Sequence, residues 1–143
     1  MLFSIRSYGR WPHAYVSVFI TLLVLSSAPA YAEWVEVGGP DDGTYTHYAD
    51  PTTIRRNGTL VKMWLLEDYK TIQTVDGKSF LSDKVQREYD CAEEQQRLLA
   101  FYWFSGQMGS GAVVYSNTDP SKWAPVMPGS VGQALWKTAC GKK

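Results

Sequence analysis

Histidine and cysteine are scarce in this chain, which contains two of each among its 143 residues. Charge of one sign is also lacking, because 14 basic residues are balanced by 14 acidic ones and the formal net charge is zero. A structural zinc site needs several Cys or His ligands, and electrostatic capture of nucleic acid or of an anionic membrane needs a basic excess. The composition therefore argues against these classes and fits one ordinary globular domain.

Long apolar runs are absent from the N-terminal segment, where the apolar run covers only the ten residues 16–25. Ten helical residues span about 15 Å, half of a hydrocarbon core of about 30 Å, so a permanent spanning helix is the poorer interpretation. Arg6 and Arg10 precede the run and Ala30-Tyr31-Ala32 follows it, which is the order of a secretory signal peptide. We predict that residues 1–32 are a signal peptide cleaved after Ala32, with an uncleaved anchor as the alternative.

Export has consequences for charge and location. Removal of the leader leaves residues 33–143 with 12 basic and 14 acidic residues, so the mature domain is slightly acidic. A lipoprotein carries its lipid on an N-terminal Cys, whereas the first Cys here is Cys91. We therefore expect no stable membrane span after cleavage, and a location in the periplasm, outside the cell or at its surface.

The two cysteines, Cys91 and Cys140, are expected to form a disulfide. Export places them in an oxidising compartment, and two cysteines permit only one internal pairing. Closing a loop of about 50 residues stabilises a fold by about 4 kcal/mol in the chain-entropy model. A redox or metal pair is the alternative, and it is disfavoured because the spacing is not C-x-x-C and further ligands are missing.

Runs of β-branched and aromatic residues predict a mainly β fold. Asn57-Gly58 is the strongest hairpin signal, because both residues tolerate a positive φ at the centre of a turn. Asp50-Pro51 is expected to end the strand before it. Segment 60–66 is almost continuously apolar and predicts a central strand. Further strands are predicted over residues 33–37, 44–49, 79–91, 96–105 and 112–116.

The C-terminal segment predicts one helix. Ser130 and Gln133 have the spacing of a capping box, apolar residues between them and Gly141 share one helical face, and Gly141 provides the stop. Cys140 would join the end of this helix to the sheet near Cys91. The expected fold class is α+β, mainly β: an antiparallel meander sheet of about six strands with one C-terminal helix, stapled by a disulfide.

No combination of residues points to catalysis. His47, the one histidine of the predicted mature chain, lies in a strand-like segment and is interpreted as exposed or partly packed. The carboxylate pairs Asp41-Asp42 and Glu93-Glu94 are interpreted as solvated. The glycines at 106, 109 and 111 are interpreted as a hairpin loop rather than a phosphate cradle. We therefore expect no enzymatic activity, no catalytic residue, no cofactor and no metal.

Two features favour binding to a partner. Arg55 and Arg56 form the one compact basic feature, where a carboxylate or sulfated partner could bind, although simple solvation is favoured. Aromatic residues are numerous for a small domain and favour interfaces, although most of them are expected to fill the core. Tyr48 and Trp64 join the two arginines as the candidate binding residues.

An ordered series of residues resembles one known family. The series comprises Tyr48, Ile54-Arg55-Arg56-Asn57-Gly58, Val61-Lys62-Met63-Trp64, Asp68-Tyr69-Lys70, Ser82, Glu88-Tyr89-Asp90-Cys91, Met108-Gly109-Ser110-Gly111, Trp123, Pro128-Gly129-Ser130 and Cys140. It is similar to the surface-adhesin protein E-like domain of Gram-negative bacteria over about residues 34–140, which is nearly all of the predicted mature chain.

The resemblance implies an antiparallel sheet whose C-terminal helix is tied down by a disulfide. It also implies binding, because the namesake of the family is an outer-membrane lipoprotein that binds host matrix proteins such as vitronectin and laminin. This sequence departs from that pattern because it lacks the lipidation Cys. We expect an exported, non-enzymatic binding module for host matrix or envelope proteins, with the oligomeric state left open. The alternative is a periplasmic structural or envelope-maintenance domain without adhesive activity.

Overall fold

The computed structural model describes Gly9 and residues 32–142. The predicted signal peptide therefore lies almost entirely outside the described residues and stays a prediction. Within the part of the chain that is described, no helix is both long enough and apolar enough to cross a membrane.

Seven strands form one antiparallel sheet. Their bounds are β1 (Val35–Gly38), β2 (Tyr45–Asn57), β3 (Leu60–Val75), β4 (Lys78–Asp90), β5 (Gln95–Phe104), β6 (Val113–Asn117) and β7 (Ala124–Pro125). The first six strands lie side by side in chain order, and the two-residue β7 pairs with the start of β5. The predicted meander of about six antiparallel strands is confirmed.

Strand β2 continues through Asp50-Pro51, where the sequence had predicted its end. The pairing of β2 with β3 shifts register between Asp50 and Arg55, so the segment that contains the proline bulges out of the ladder. Trp64 N donates to Thr53 Oγ1 at 3.0 Å in this segment, so a side-chain oxygen accepts where a backbone carbonyl otherwise would. The proline therefore marks a bulge within one long strand, because no backbone N–H is required at its position.

The hairpin between β2 and β3 turns at Gly58 and Thr59, because Asn57 already pairs with Leu60. Gly58 has a φ of 62°, whereas Asn57 is not among the residues with positive φ. A glycine at the first central position of a two-residue loop is typical of a type II′ turn. The hairpin is thus confirmed, but the expectation of a positive φ at both Asn57 and Gly58 is wrong.

The C-terminal helix α1 (Val131–Cys140) begins and ends close to the positions that the sequence indicates. Gln133 N donates to Ser130 Oγ at 3.1 Å, which is one half of the predicted capping box. The Gln133 side chain accepts from Gly129 N at 2.9 Å, one residue earlier than a standard box requires. Gly141 ends the helix in the left-handed region with a φ of 69°.

Helix α1 packs on one face of the sheet, and the core lies between them. We call this the helix face, to which Met63 points, and the opposite one the outer face, to which Trp64 points. The buried side chains of the core are Ala49, Val61, Met63, Leu65, Val85, Tyr89, Val126, Leu135, Trp136, Ala139 and Cys140. The predicted Cys91–Cys140 disulfide is present and fixes the end of α1 to the sheet. Burial of this apolar surface is the main stabilising contribution to the fold.

The loop from β5 to β6, residues 105–112, covers part of the outer face. Ser82 Oγ donates to Gly106 O at 2.6 Å and accepts from Gly109 N at 2.8 Å, and Met108 N donates to Asp68 Oδ1 at 2.6 Å. Leu66, which lies on the same outer face two residues before Asp68, is completely buried. The glycines in this loop serve a packed hairpin connection, as the sequence predicts.

Candidate functional site

The four predicted binding residues lie on both faces of the sheet. Arg55 pairs with Lys62, which shares the outer face with Trp64, and Tyr48 pairs with Leu66 on that same face. Arg56 pairs with the buried Val61 and so belongs to the helix face. The structure therefore brings Arg55, Tyr48 and Trp64 to one surface and separates Arg56 from them.

The two arginines are held by backbone carbonyls, and neither forms an ion pair among the described residues. Arg55 Nη1 donates to the carbonyls of Thr52 at 3.1 Å and Ile54 at 2.9 Å while the residue stays exposed. Arg56 Nη2 donates to Ala139 O at 3.0 Å, near the C-terminus of α1, where a cation is favoured by the helix dipole. Arg56 is thus tied to the end of α1, whereas Arg55 contacts only its own strand, and both residues are exposed.

A groove of about 230 Å³ lies on the outer face beside Trp64. It is lined by Ala32, Trp34, Asp50, Thr53, Trp64 and Lys84. The Trp64 ring also lies 6.1 Å from the ring of Tyr102, measured between centroids. This groove offers aromatic rings together with one cation, whereas the carboxyl group of Asp50 is buried and accepts from Thr52 N and Oγ1. Such a surface is suited to an extended peptide or a loop of another protein.

A second cavity, of about 270 Å³, lies on the helix face beyond the core. We call it the polar pocket, and it is lined by Glu67, Asp83, Val85, Arg87, Leu98, Phe101 and Trp103. Sequence reasoning missed it, although a signal is present. Glu67 follows the buried Leu65 at a spacing of two, and Asp83 and Arg87 flank the buried Val85 at the same spacing. Charged residues at inward-facing strand positions mark a polar site on a buried face.

The polar groups of this pocket are only partly paired. Glu67 Oε2 accepts from the Tyr69 hydroxyl at 2.8 Å. Glu67 Oε1 lies 3.5 Å from His47 Nδ1, which is a contact rather than a hydrogen bond. The Glu67 side chain is 19% exposed and the His47 side chain is 14% exposed. His47 Nδ1 and Asp83 Oδ1 are buried atoms without a hydrogen-bond partner among the described residues. In that same part of the chain, Arg87 forms no ion pair.

Burial sets the charges in the pocket. Burial, together with the nearby Glu67 carboxylate, raises the pKa of Asp83 to about 7. Burial lowers the pKa of His47, with the Arg87 cation acting in the same direction and the Glu67 carboxylate opposing it. Burial and Glu67 raise the pKa of Tyr69 far above its usual range, so its hydroxyl remains a donor. At neutral pH Asp83 in the pocket is therefore half-ionised, and the imidazole of His47 beside Glu67 is neutral.

Aromatic rings form the rim of the pocket. The Phe80 and Trp103 rings stack at 4.3 Å, and Tyr115 lies 5.0 Å from Trp103. Seven aromatic residues, most of which the sequence assigned to the core, are instead all half-buried: Trp34, Tyr45, Tyr48, Trp64, Tyr69, Trp103 and Trp123. That assignment is wrong because the ten-residue α1 covers only part of a sheet whose central strands reach 16 residues.

The chemistry available to the polar pocket is hydrogen bonding and ion pairing. No group of three or more His, Cys, Asp or Glu side chains could hold a metal ion among residues 32–142 and Gly9. Carboxylate oxygens accept hydrogen bonds, so a ligand that supplies N–H or O–H donors is complementary to Glu67 and Asp83.

The matches to known proteins agree on one family. The model of the family described as surface-adhesin protein E matches residues 34–141. Crystal form II of Haemophilus influenzae protein E is similar with a TM-score of 0.56 and 14% identity, covering 75% of this chain and 96% of that chain. Its selenomethionine form has a TM-score of 0.55 and 11% identity, covering 69% of this chain and 87% of that one. At these identities the likeness shows the shared fold, and no curated protein matches in sequence.

Proposed function

This chain belongs to the surface-adhesin protein E family, and from that premise we propose that it is an exported, adhesin-like surface protein that binds a protein ligand without catalysing a reaction. The observation that carries the proposal is the family match over residues 34–141, which spans all seven strands and the helix. In this proposal, residues 1–32 are the leader that directs export, and residues 33–143 are the mature binding domain.

The surface proposed to bind the protein ligand is the outer face around Trp64. Large rings that are half-buried provide contact area at a small entropic cost, and aromatic and arginine side chains dominate binding energy at protein interfaces. Trp64 and Tyr48 are half-buried there, and Arg55 is exposed. Host matrix proteins or envelope proteins are the proposed partners, in keeping with the adhesin character of the family.

The test is the binding of the purified, exported protein to immobilised vitronectin and laminin, measured by surface plasmon resonance. We expect saturable binding to at least one of them, weakened about tenfold or more by Tyr48→Ala or by Arg55→Ala, because aromatic and arginine side chains dominate binding energy at interfaces. Tyr115→Ala is the matched control, because this exposed tyrosine lies on the helix face, where it packs beside Trp103.

Two results would count against the proposed surface or the proposed function. Binding that survives both outer-face substitutions and is lost in Tyr115→Ala would move the binding surface to the helix face. A well-folded protein that binds neither matrix protein would favour the periplasmic structural role, the alternative that the sequence left open.

A further inference from the structure

The polar pocket lies on the face opposite to the proposed binding surface, and two carboxyl groups and one guanidinium are the charged groups of its lining. Glu67 and Asp83 contribute carboxyl groups to its lining, and His47 contacts Glu67 from β2. Asp83 Oδ1 is a buried atom without a hydrogen-bond partner among the described residues, although the Trp103 indole and the Tyr102 backbone lie close enough to lower the pKa of this carboxyl group. Buried acceptors without a donor cost free energy, so a ligand that brings donors recovers that cost on binding.

The remaining walls of the pocket are apolar. Val85, Leu98, Phe101 and Trp103 line it together with the carboxyl groups. Aliphatic chains pack well against aromatic rings, and a cation near the face of Trp gains a further electrostatic attraction. The pocket therefore combines an anionic, acceptor-rich part with an apolar wall inside one cavity of about 270 Å³.

We propose that the polar pocket binds a primary ammonium group carried on an aliphatic chain, with Glu67 and Asp83 as its anionic partners and with Phe101 and Trp103 against the chain. An ammonium is a cation with three donors and no acceptor, which matches the two carboxyl groups of the lining. Its compact charge and flexible stem suit a pocket whose polar and apolar parts lie side by side. A lysine side chain of a protein and a free aliphatic diamine share this chemistry.

Arg87 is the one cation in the lining. The main alternative to an ammonium ligand is therefore an anionic group bound by Arg87. Two carboxyl groups line the pocket against this single guanidinium, and the imidazole beside Glu67 is neutral at pH 7 because burial lowers the pKa of His47. An anion in this cavity would meet two carboxyl groups for one cation. The balance of charge therefore favours a cationic ligand.

The binding should depend on pH through Asp83. The groups that face Asp83 are Glu67 and Tyr69 of β3, Arg87 of its own strand and, beyond Glu67, His47 of β2. Its partners in the lining from β5 are Leu98, Phe101 and Trp103, which do not titrate. Because an ammonium binds the ionised carboxyl group best, affinity should be about tenfold lower at pH 6 than at pH 8.

The experiment is a titration of the ¹⁵N-labelled exported protein, followed by two-dimensional NMR, with Nα-acetyl-lysine N-methylamide. The matched control ligand is Nα-acetyl-norleucine N-methylamide, which keeps the aliphatic chain and lacks the amine. We expect saturable shifts at the Trp103 indole with the lysine compound, and affinity at least about tenfold lower for the norleucine compound. A titration with 1,5-diaminopentane then distinguishes a free diamine from a protein lysine as the better ligand.

Variants test which residues hold the ammonium. Glu67→Gln and Asp83→Asn should each weaken lysine-amide binding about tenfold, and Asp83→Asn should also remove the pH dependence. Glu93→Gln, an exposed carboxyl in the turn after β4, is the control that should leave affinity unchanged.

Equal affinity for the lysine and norleucine compounds would overturn the proposal, and this comparison needs no variant to fold. Tighter binding of acetate than of the lysine amide would overturn it as well, in favour of an anion held by Arg87. The inference does not rest on surface display or on matrix binding. A protein that fails to bind matrix proteins but binds the lysine amide would refute only the proposed function.

Discussion

The buried carboxyl group of Asp83 should lower the stability of the fold at neutral and alkaline pH. Its pKa rises from the ordinary value of 3.8 to about 7, because burial and the Glu67 carboxylate penalise the charged form. The folded protein therefore holds this proton more tightly than the unfolded chain does. The contribution of Asp83 to the free energy of unfolding is fully present below pH 3.8 and is lost progressively as the pH rises through 7. The difference in pKa corresponds to about 4 kcal/mol.

Replacement of Asp83 by Asn removes the titration while it keeps the shape of the side chain. We expect Asp83→Asn to raise the free energy of unfolding by about 2 to 4 kcal/mol at pH 8 and to change it by less than about 1 kcal/mol at pH 4. Urea denaturation followed by tryptophan fluorescence at pH 4, 6 and 8 measures the effect, with the exposed Asp119→Asn as control. An equal effect at all three pH values, or no stabilisation at pH 8, would refute the reasoning.

Three further predictions concern the stability of the fold. Joint replacement of Cys91 and Cys140 by Ala should lower the free energy of unfolding by about 4 kcal/mol, because the disulfide closes a loop with a sequence separation of 49. Urea denaturation measures the loss, and a value below about 1 kcal/mol would contradict this prediction. Arg97→Ala should cost about 3 kcal/mol, because it leaves the buried Glu88 carboxylate without its cation at 2.6 Å, and an unchanged melting temperature would argue against that ion pair. Ser130→Ala should cost about 1 kcal/mol by removing the N-cap of α1, and the Thr138→Ala variant, in the last turn of the helix, serves for comparison in thermal melts followed by circular dichroism.

Most of the fold could be predicted because its signals are local. Ser130 and Gly141 mark the ends of α1 through backbone groups within a few residues, and Gly58 marks a hairpin by its positive φ. The disulfide followed from the presence of only two cysteines. The bulge at Pro51 was missed because a proline inside a continuous strand is accommodated only by a register shift, which depends on the partner strand.

The candidate site could be predicted only in part, because it depends on register. Tyr48, Trp64 and Arg55 share a face once β2 and β3 are aligned, but the bulge between Asp50 and Arg55 sends Arg56 to the opposite face. The polar pocket forms because Glu67 of β3 pairs with Asp83 of β4. These residues are 16 positions apart, and nothing in the sequence indicates that they are neighbours.

Exposure at the cell surface is essential to the proposed function, since an adhesin must be reached by its ligand. Protease treatment of intact cells that express an epitope-tagged chain tests it most directly, with a known periplasmic protein as the leakage control. We expect the protease to remove the tag while the periplasmic control protein survives. Full protection of the tag, together with its loss once the outer membrane is opened, would contradict it and place the protein in the periplasm.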